Sequence, residues 1–180
     1  MKAVLISIRP KWCQKIISGE KTIEVRKTRP RLNPPFKCYI HQTGQGGVIG
    51  EFVCDDIFER IVQVGTSCET PKYCLCDWNM DCTPLDRILS DACLTLDELE
   101  KYLDGGAGYG WHISNLKIYD TPKDLNEFWF PPKLYCEKER CGGCPFDQVP
   151  DVNGEYSFDC EWKRPLTRPP QSWCYVAEEA

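Results

Sequence analysis

The chain has 180 residues, a net charge of −5 and thirteen cysteines. Its apolar content is that of a globular protein, which excludes wholesale disorder, and its acidic balance excludes a surface coated all over in nucleic acid. The length is enough for one domain with a sizeable core, so a single domain over residues 1–180 is expected. No stretch reaches the roughly 18 apolar residues of a membrane helix. No Asn-x-Ser/Thr acceptor occurs, and the apolar run at residues 3–8 is cut by Arg9 too early for a secretion signal. A cytoplasmic location without membrane contact is therefore expected. The cytosol keeps thiols reduced, so the cysteine load points first to metal ligation.

The charge is uneven along the chain. Residues 1–37 hold six Lys and four Arg against Glu20 and Glu24, a net of +8, so the remaining residues carry −13. A basic face on an acidic body focuses an anionic ligand onto one place.

In chain order, residues 3–8 read as a strand apolar enough for burial on both faces. Pro10 suits the first position of a helix, Trp12, Ile16 and Ile17 give it an apolar stripe, and Gly19 is placed to end it in a left-handed conformation. Residues 22–26 alternate as a strand: Ile23 and Val25 face one way, Thr22, Glu24 and Arg26 the other. With Lys21 at the turn before it, a Lys, a Glu and an Arg are delivered together beside a buried helix. Residues 29–35 form a stiff, basic, Pro-rich loop.

Residues 36–42 alternate as a half-buried strand, and a Gly-rich hairpin at 43–47 leads into a long strand at 48–58, bent near Asp55 and Asp56. The hairpin fits neither G-x-G-x-x-G nor a Walker pattern, so it is not a nucleotide cradle. Residues 59–83 lack a clear period and are dense in Cys. Thr95 and Glu98 form a capping box for a helix to residue 103, which Gly105 and Gly106 stop. Residues 109–113 and 116–119 read as a kinked strand, Pro122 as the start of a helical turn to Phe128, and 172–177 as the last strand. Residues 131–163 are irregular and again bear Cys.

Two cysteine groups have ligand-like spacing. Cys136-x4-Cys141-x2-Cys144, with Cys160 beyond, gives four thiolates for a closed tetrahedral zinc shell, structural in character because no position stays open. Its Cys-Gly-Gly-Cys turn lets backbone N–H groups approach sulfur. Reduced thiols, or disulfides in an exported protein, are the alternatives. The group Cys68, Cys74, Cys76 and Cys82 has less diagnostic spacing.

In the basic segment, Lys21 and Arg26 suit a phosphate or a carbonyl, and Glu24 suits orienting Lys21 or accepting from a base N–H. A cross-strand ion pair on a solvated face is the competing reading. His112 points opposite Trp111 and is a further cleft candidate. Trp12, Tyr39, Tyr109 and Trp111 are aromatic candidates for stacking an unpaired base, although aromatics at alternating strand positions are more often core.

The pattern G-x-K-x-x-E-x-R at Gly19, Lys21, Glu24 and Arg26 resembles the ASCH domain of the PUA-like superfamily. The segments G-x-V-I-G-E-F (Gly46 to Phe52) and Y-G-W-H-I-S (Tyr109 to Ser114) are similar to later strands of that domain. P-P-Q-S-W-C-Y-V (Pro169 to Val176) is similar to the end of ASCH proteins of bacterial and prophage genomes. The resemblance implies an α+β, mainly β fold: a PUA-like small β-barrel with flanking helices. The barrel would come from residues 1–57, 106–125 and 165–180, with Cys-rich inserts at 58–105 and 126–164.

The resemblance also implies a cleft for RNA or a modified nucleoside, with Lys21, Glu24, Arg26, Tyr39, Trp111 and His112 as ligand-binding candidates. The alternative is a hydrolase of an acylated nucleoside such as N4-acetylcytidine, or of RNA, with Lys21 and Glu24 as its catalytic candidates. There the family has Thr where this chain has Glu24, and only Asp91 stands near the place of a further catalytic Glu. A protein-interaction adaptor is a third class, for which no residue names a partner.

Overall fold

The computed structural model describes residues 2–44, 46–63, 73–76, 82–83, 85–130 and 165–177. Strand β1 (Lys2–Ile8) is followed by helix α1 (Pro10–Ile17), then β2 (Ile23–Arg26), β3 (Phe36–Gln42), β4 (Val48–Cys54), β5 (Ile57–Gln63), β6 (Tyr73–Cys76) and β7 (Cys82–Thr83). Helices α2 (Leu85–Ala92) and α3 (Leu96–Leu103) come next, then β8 (Gly108–His112), β9 (Ser114–Lys123), a 3-10 turn at Leu125–Glu127 and β10 (Trp173–Ala177). The class is α+β, mostly strand.

The strands lie in two five-stranded sheets, ordered β10-β1-β3-β4-β9 and β2-β8-β5-β6-β7. The chain passes between them four times: through α1 from β1 to β2, from β2 to β3, at Asp55 and Asp56 after β4, and at Ile113 between β8 and β9. The last two passages coincide with the bend and the kink read from the sequence. Backbone pairing does not close the sheets into one ring among the described residues, so the expected closed barrel is replaced by two sheets. At the β2 edge a side chain makes the link instead. Arg26 Nη2 donates to Ser7 O of β1 at 2.6 Å and Nη1 to Ser172 Oγ beside β10 at 3.3 Å.

Strand β1 is buried on both faces. Val4, Ile6 and Ile8 join Cys13, Ile16, Cys38, Ile40, Phe52 and Trp111 between the sheets, while Ala3 and Leu5 pack with Tyr39, Val48, Phe128 and Val176 on the far side. Each such Leu or Ile contributes roughly 1.5–3 kcal/mol relative to exposure. A third cluster joins Ile23 and Val25 of β2 to Ile88, Ala92, Leu99 and Leu103 of α2 and α3. Gly108 permits that contact, because a Cβ there would lie 2.7 Å from Leu103 Cδ2.

Several expectations change. Ile17 is exposed, and Cys13 with Ile16 forms the buried stripe of α1. Residues 58–105, expected as an insert, supply β5 to β7, α2 and α3. Pro122 lies inside β9, and the helical turn is confined to Leu125–Glu127. The capping box at Thr95 and Glu98 is present, with Glu98 N donating to Thr95 Oγ1 at 3.2 Å. Cys136, Cys141, Cys144 and Cys160 lie outside the described residues, as do Cys68 and the side chains of Cys74, Cys76 and Cys82.

Candidate functional site

The turn after α1 sets the site. Gly19 takes φ +76°, and Lys21 N donates to Lys15 O, folding the chain back under the helix. Alternation in β2 then sends Glu24 and Arg26 to the face opposite Ile23 and Val25. Lys21, Glu24 and Arg26 are 3%, 6% and 8% exposed, so the solvated ion pair is excluded.

The Lys21 ammonium donates to Ile23 O at 2.8 Å and to Ala92 O at 2.7 Å, and lies 3.3 Å from Glu24 Oε2 and 5.2 Å from the Trp12 ring centre. Ala92 ends α2, so its carbonyl belongs to the negative end of that helix. Two backbone carbonyls accept from the ammonium, and Glu24 is its ion-pair partner. Glu24 Oε1 pairs with Arg26 Nη2 at 2.9 Å, so one carboxylate bridges two cations.

This cluster retains positive charge. One carboxylate and the end of α2, about half a charge, stand against two cations. The spare capacity is on Arg26, whose Nε is buried and has no hydrogen-bond partner among the described residues. The carboxylate also acts on Cys13: burial, then the Glu24 charge, push that thiol up to about 12.

Beside the cluster lies a cavity of about 510 Å³, lined by residues 27–31 with Asn33 and Tyr109. Lys27 continues the chain from Arg26, and Tyr109 is the cross-strand partner of Arg26 on β8. Opposed residues on paired strands share a face, so the cavity adjoins the buried cluster. Its lining holds three cations and no carboxylate. Two bonds from β10 hold the loop: Trp173 Nε1 donates to Thr28 Oγ1 at 3.0 Å, and Arg31 N donates to Tyr175 Oη at 2.7 Å.

The aromatic candidates divide. Trp111 is fully buried, edge-on to Phe36 and Trp173, and Tyr39 is 4% exposed against Phe128. Neither presents a face to a base; both are core. Tyr109 lines the cavity, and Trp12 covers Lys21. His112 stands on the other face of β8 from Trp111, half-exposed, with Nδ1 2.6 Å from Asp55 Oδ1. Burial opposes ionisation of Asp55, but hydrogen bonds from His112 and Ser114 outweigh it and hold the carboxyl below its ordinary range. His112 is thus apart from the cluster. Asp91 pairs with Arg87 on the outside of α2 at 3.7 Å.

Sequence reading did not place Lys27, Asn33, Ser172, Trp173 or Tyr175 at the site. The basic loop was a visible signal, whereas its contacts with β10 span about 145 positions of chain. No group of three or more metal-ligating side chains occurs among the described residues, and no helix among them is long and apolar enough to cross a membrane.

A family model described as ASCH domain matches residues 6–104, more than half of the chain. Similar solved structures include ASCH from Zymomonas mobilis, with 18% identity and a TM-score of 0.57, covering 98% of this chain and 88% of that one. A tyrosine-to-phenylalanine variant of that protein gives 19% identity and 0.57, covering 99% and 92%. A serine-to-alanine variant gives 18% and 0.56, covering 98% and 89%. A search of curated proteins found no match.

Proposed function

Since the chain belongs to the ASCH domain family, we propose that it binds single-stranded RNA or a modified nucleoside in the basic cleft lined by residues 27–31, Asn33 and Tyr109. The two sheets are then a PUA-like barrel opened at the β2 edge. The observation that carries the reading is the cavity with three cations and no carboxylate in its lining, set beside a buried cluster of residual positive charge. Single-stranded RNA is read in this way, by a basic groove that meets the backbone and an aromatic wall, here Tyr109, that meets a base.

Lys21 serves this reading as a scaffold. Its buried ammonium donates to Ile23 O and Ala92 O beside Glu24, contacts that tie it to β2 and α2 and not to a ligand. Hydrolysis of N4-acetylcytidine through Lys21 and Glu24 is therefore the less supported reading. Turnover of N4-acetylcytidine by the wild type, lost in Lys21→Ala, would restore it.

The direct test is titration of short single-stranded RNA at low salt. The wild type is expected to bind, and binding weakens as salt rises. Failure to bind any such RNA or a modified nucleoside at low salt contradicts the proposal. The four thiolates Cys136, Cys141, Cys144 and Cys160 are proposed to hold a structural zinc, and purified protein lacking stoichiometric zinc contradicts that part separately.

A further inference from the structure

We infer that the cavity of residues 27–33 is a phosphoryl pocket. It takes the terminal phosphate of one nucleotide unit, carried by a free ribonucleoside monophosphate or by the end of a single RNA strand. This rests on the nucleic-acid reading above and narrows its ligand.

Four observations lead there. The first is size: about 510 Å³ falls in the range of small-ligand sites, roughly 300–1,000 Å³, and suits one nucleotide, not a length of strand. The second is charge. Lys27, Arg29 and Arg31 line the cavity beside a buried cluster of net positive charge. A terminal phosphate carries about −1.5 to −2 near neutral pH, against −1 for an internal phosphodiester, so the end group is the better match.

The third is fixed shape. Pro30 is buried, and Trp173 and Tyr175 hold Thr28 and the Arg31 backbone in place, so little ordering remains to be done on binding. The fourth is the acidic remainder of the chain. A net of −13 outside residues 1–37 opposes a polyanion laid along the surface and favours one inserted group.

The test compares ligands that differ only in the phosphate. Calorimetric titration uses the four ribonucleosides, their 5′- and 3′-monophosphates, and a tetranucleotide with and without a terminal phosphate. The monophosphates, the phosphorylated tetranucleotide, or both are expected to bind at least about tenfold tighter than the matching ligand without the phosphate. A Lys27→Ala/Arg31→Ala double variant, altered only at exposed side chains, is expected to lose that margin. The slope of log K against log salt is expected near −0.7 to −1.4, the value for about one or two phosphates on a single strand.

A gain by the monophosphates alone assigns the free nucleotide, and a gain by the tetranucleotide alone assigns the RNA end. Equal binding with and without the phosphate overturns the inference and leaves RNA binding standing. No binding of any nucleoside, nucleotide or RNA removes both.

Discussion

Residues 21–26 and residues 27–33 are neighbours in sequence, both rich in Lys and Arg, and the fold treats them in opposite ways. In the first, Lys21 and Arg26 share Glu24 and three backbone carbonyls, and all three side chains are withdrawn from water. In the second, Lys27 and Arg31 stand exposed around a cavity with no carboxylate in its lining. Basic charge therefore does two jobs here. Buried, it joins β2 to α2 and to the other sheet. Exposed, it faces solvent where an anion can enter. The two meet through Arg26, which has bonding capacity left over.

The largest expected effect separates the halves by stability. Glu24→Ala leaves two buried cations without their carboxylate and is expected to cost about 3–5 kcal/mol in unfolding free energy, measured by urea denaturation. A loss under about 1 kcal/mol would mean that the cluster is solvated and the contrast false. Next, Arg26→Lys keeps the charge but removes the fork that reaches Glu24, Ser7 O and Ser172 Oγ. A loss of about 1–3 kcal/mol is expected by the same measurement.

Arg31→Ala is expected to change stability by no more than about 0.5 kcal/mol, because an exposed side chain outside the core contributes little. A larger loss would make the loop part of the scaffold.

The smallest effect is a pH dependence. Burial and the Glu24 charge raise the Cys13 thiol to about 12 in the folded chain, against an ordinary value of about 8.5 when unfolded. A raised folded value contributes stability that is complete below the unfolded value and is lost as pH rises from about 8.5 toward 12. Stability is therefore expected to fall across that alkaline window, and less steeply in Cys13→Ala. Identical slopes would mean that Cys13 is not buried in the folded chain.

Much of this arrangement is legible in the residues themselves. Alternation in 22–26 puts Glu24 and Arg26 on one side, and the Gly19 turn brings Lys21 to them. What alternation cannot state is which side faces inward: charged positions look like a solvated face, and here they are interior. The same ambiguity misplaces Trp111 and Tyr39, whose period fixes a face and whose burial depends on the opposing sheet. Leu85, Ile88, Leu89 and Ala92 keep the helical spacing of α2, although the segment lies between Cys82 and Cys93 in a stretch with ligand-like cysteine spacing. The cavity was not readable, because Trp173 and Tyr175 reach the basic loop from the far end of the chain. A closed ring of strands was expected by resemblance, and the side chain of Arg26 bridges the sheets where backbone pairing is missing.

The most direct measurement is the affinity of a short single-stranded RNA bearing a terminal phosphate, at low salt, for the wild type and for Lys27→Ala/Arg31→Ala, with unfolding curves of both. The account predicts measurable binding by the wild type, a loss of at least about tenfold in the double variant, and nearly coincident unfolding curves. Equal affinities, or no binding by the wild type of either this RNA or a ribonucleoside monophosphate, would contradict it.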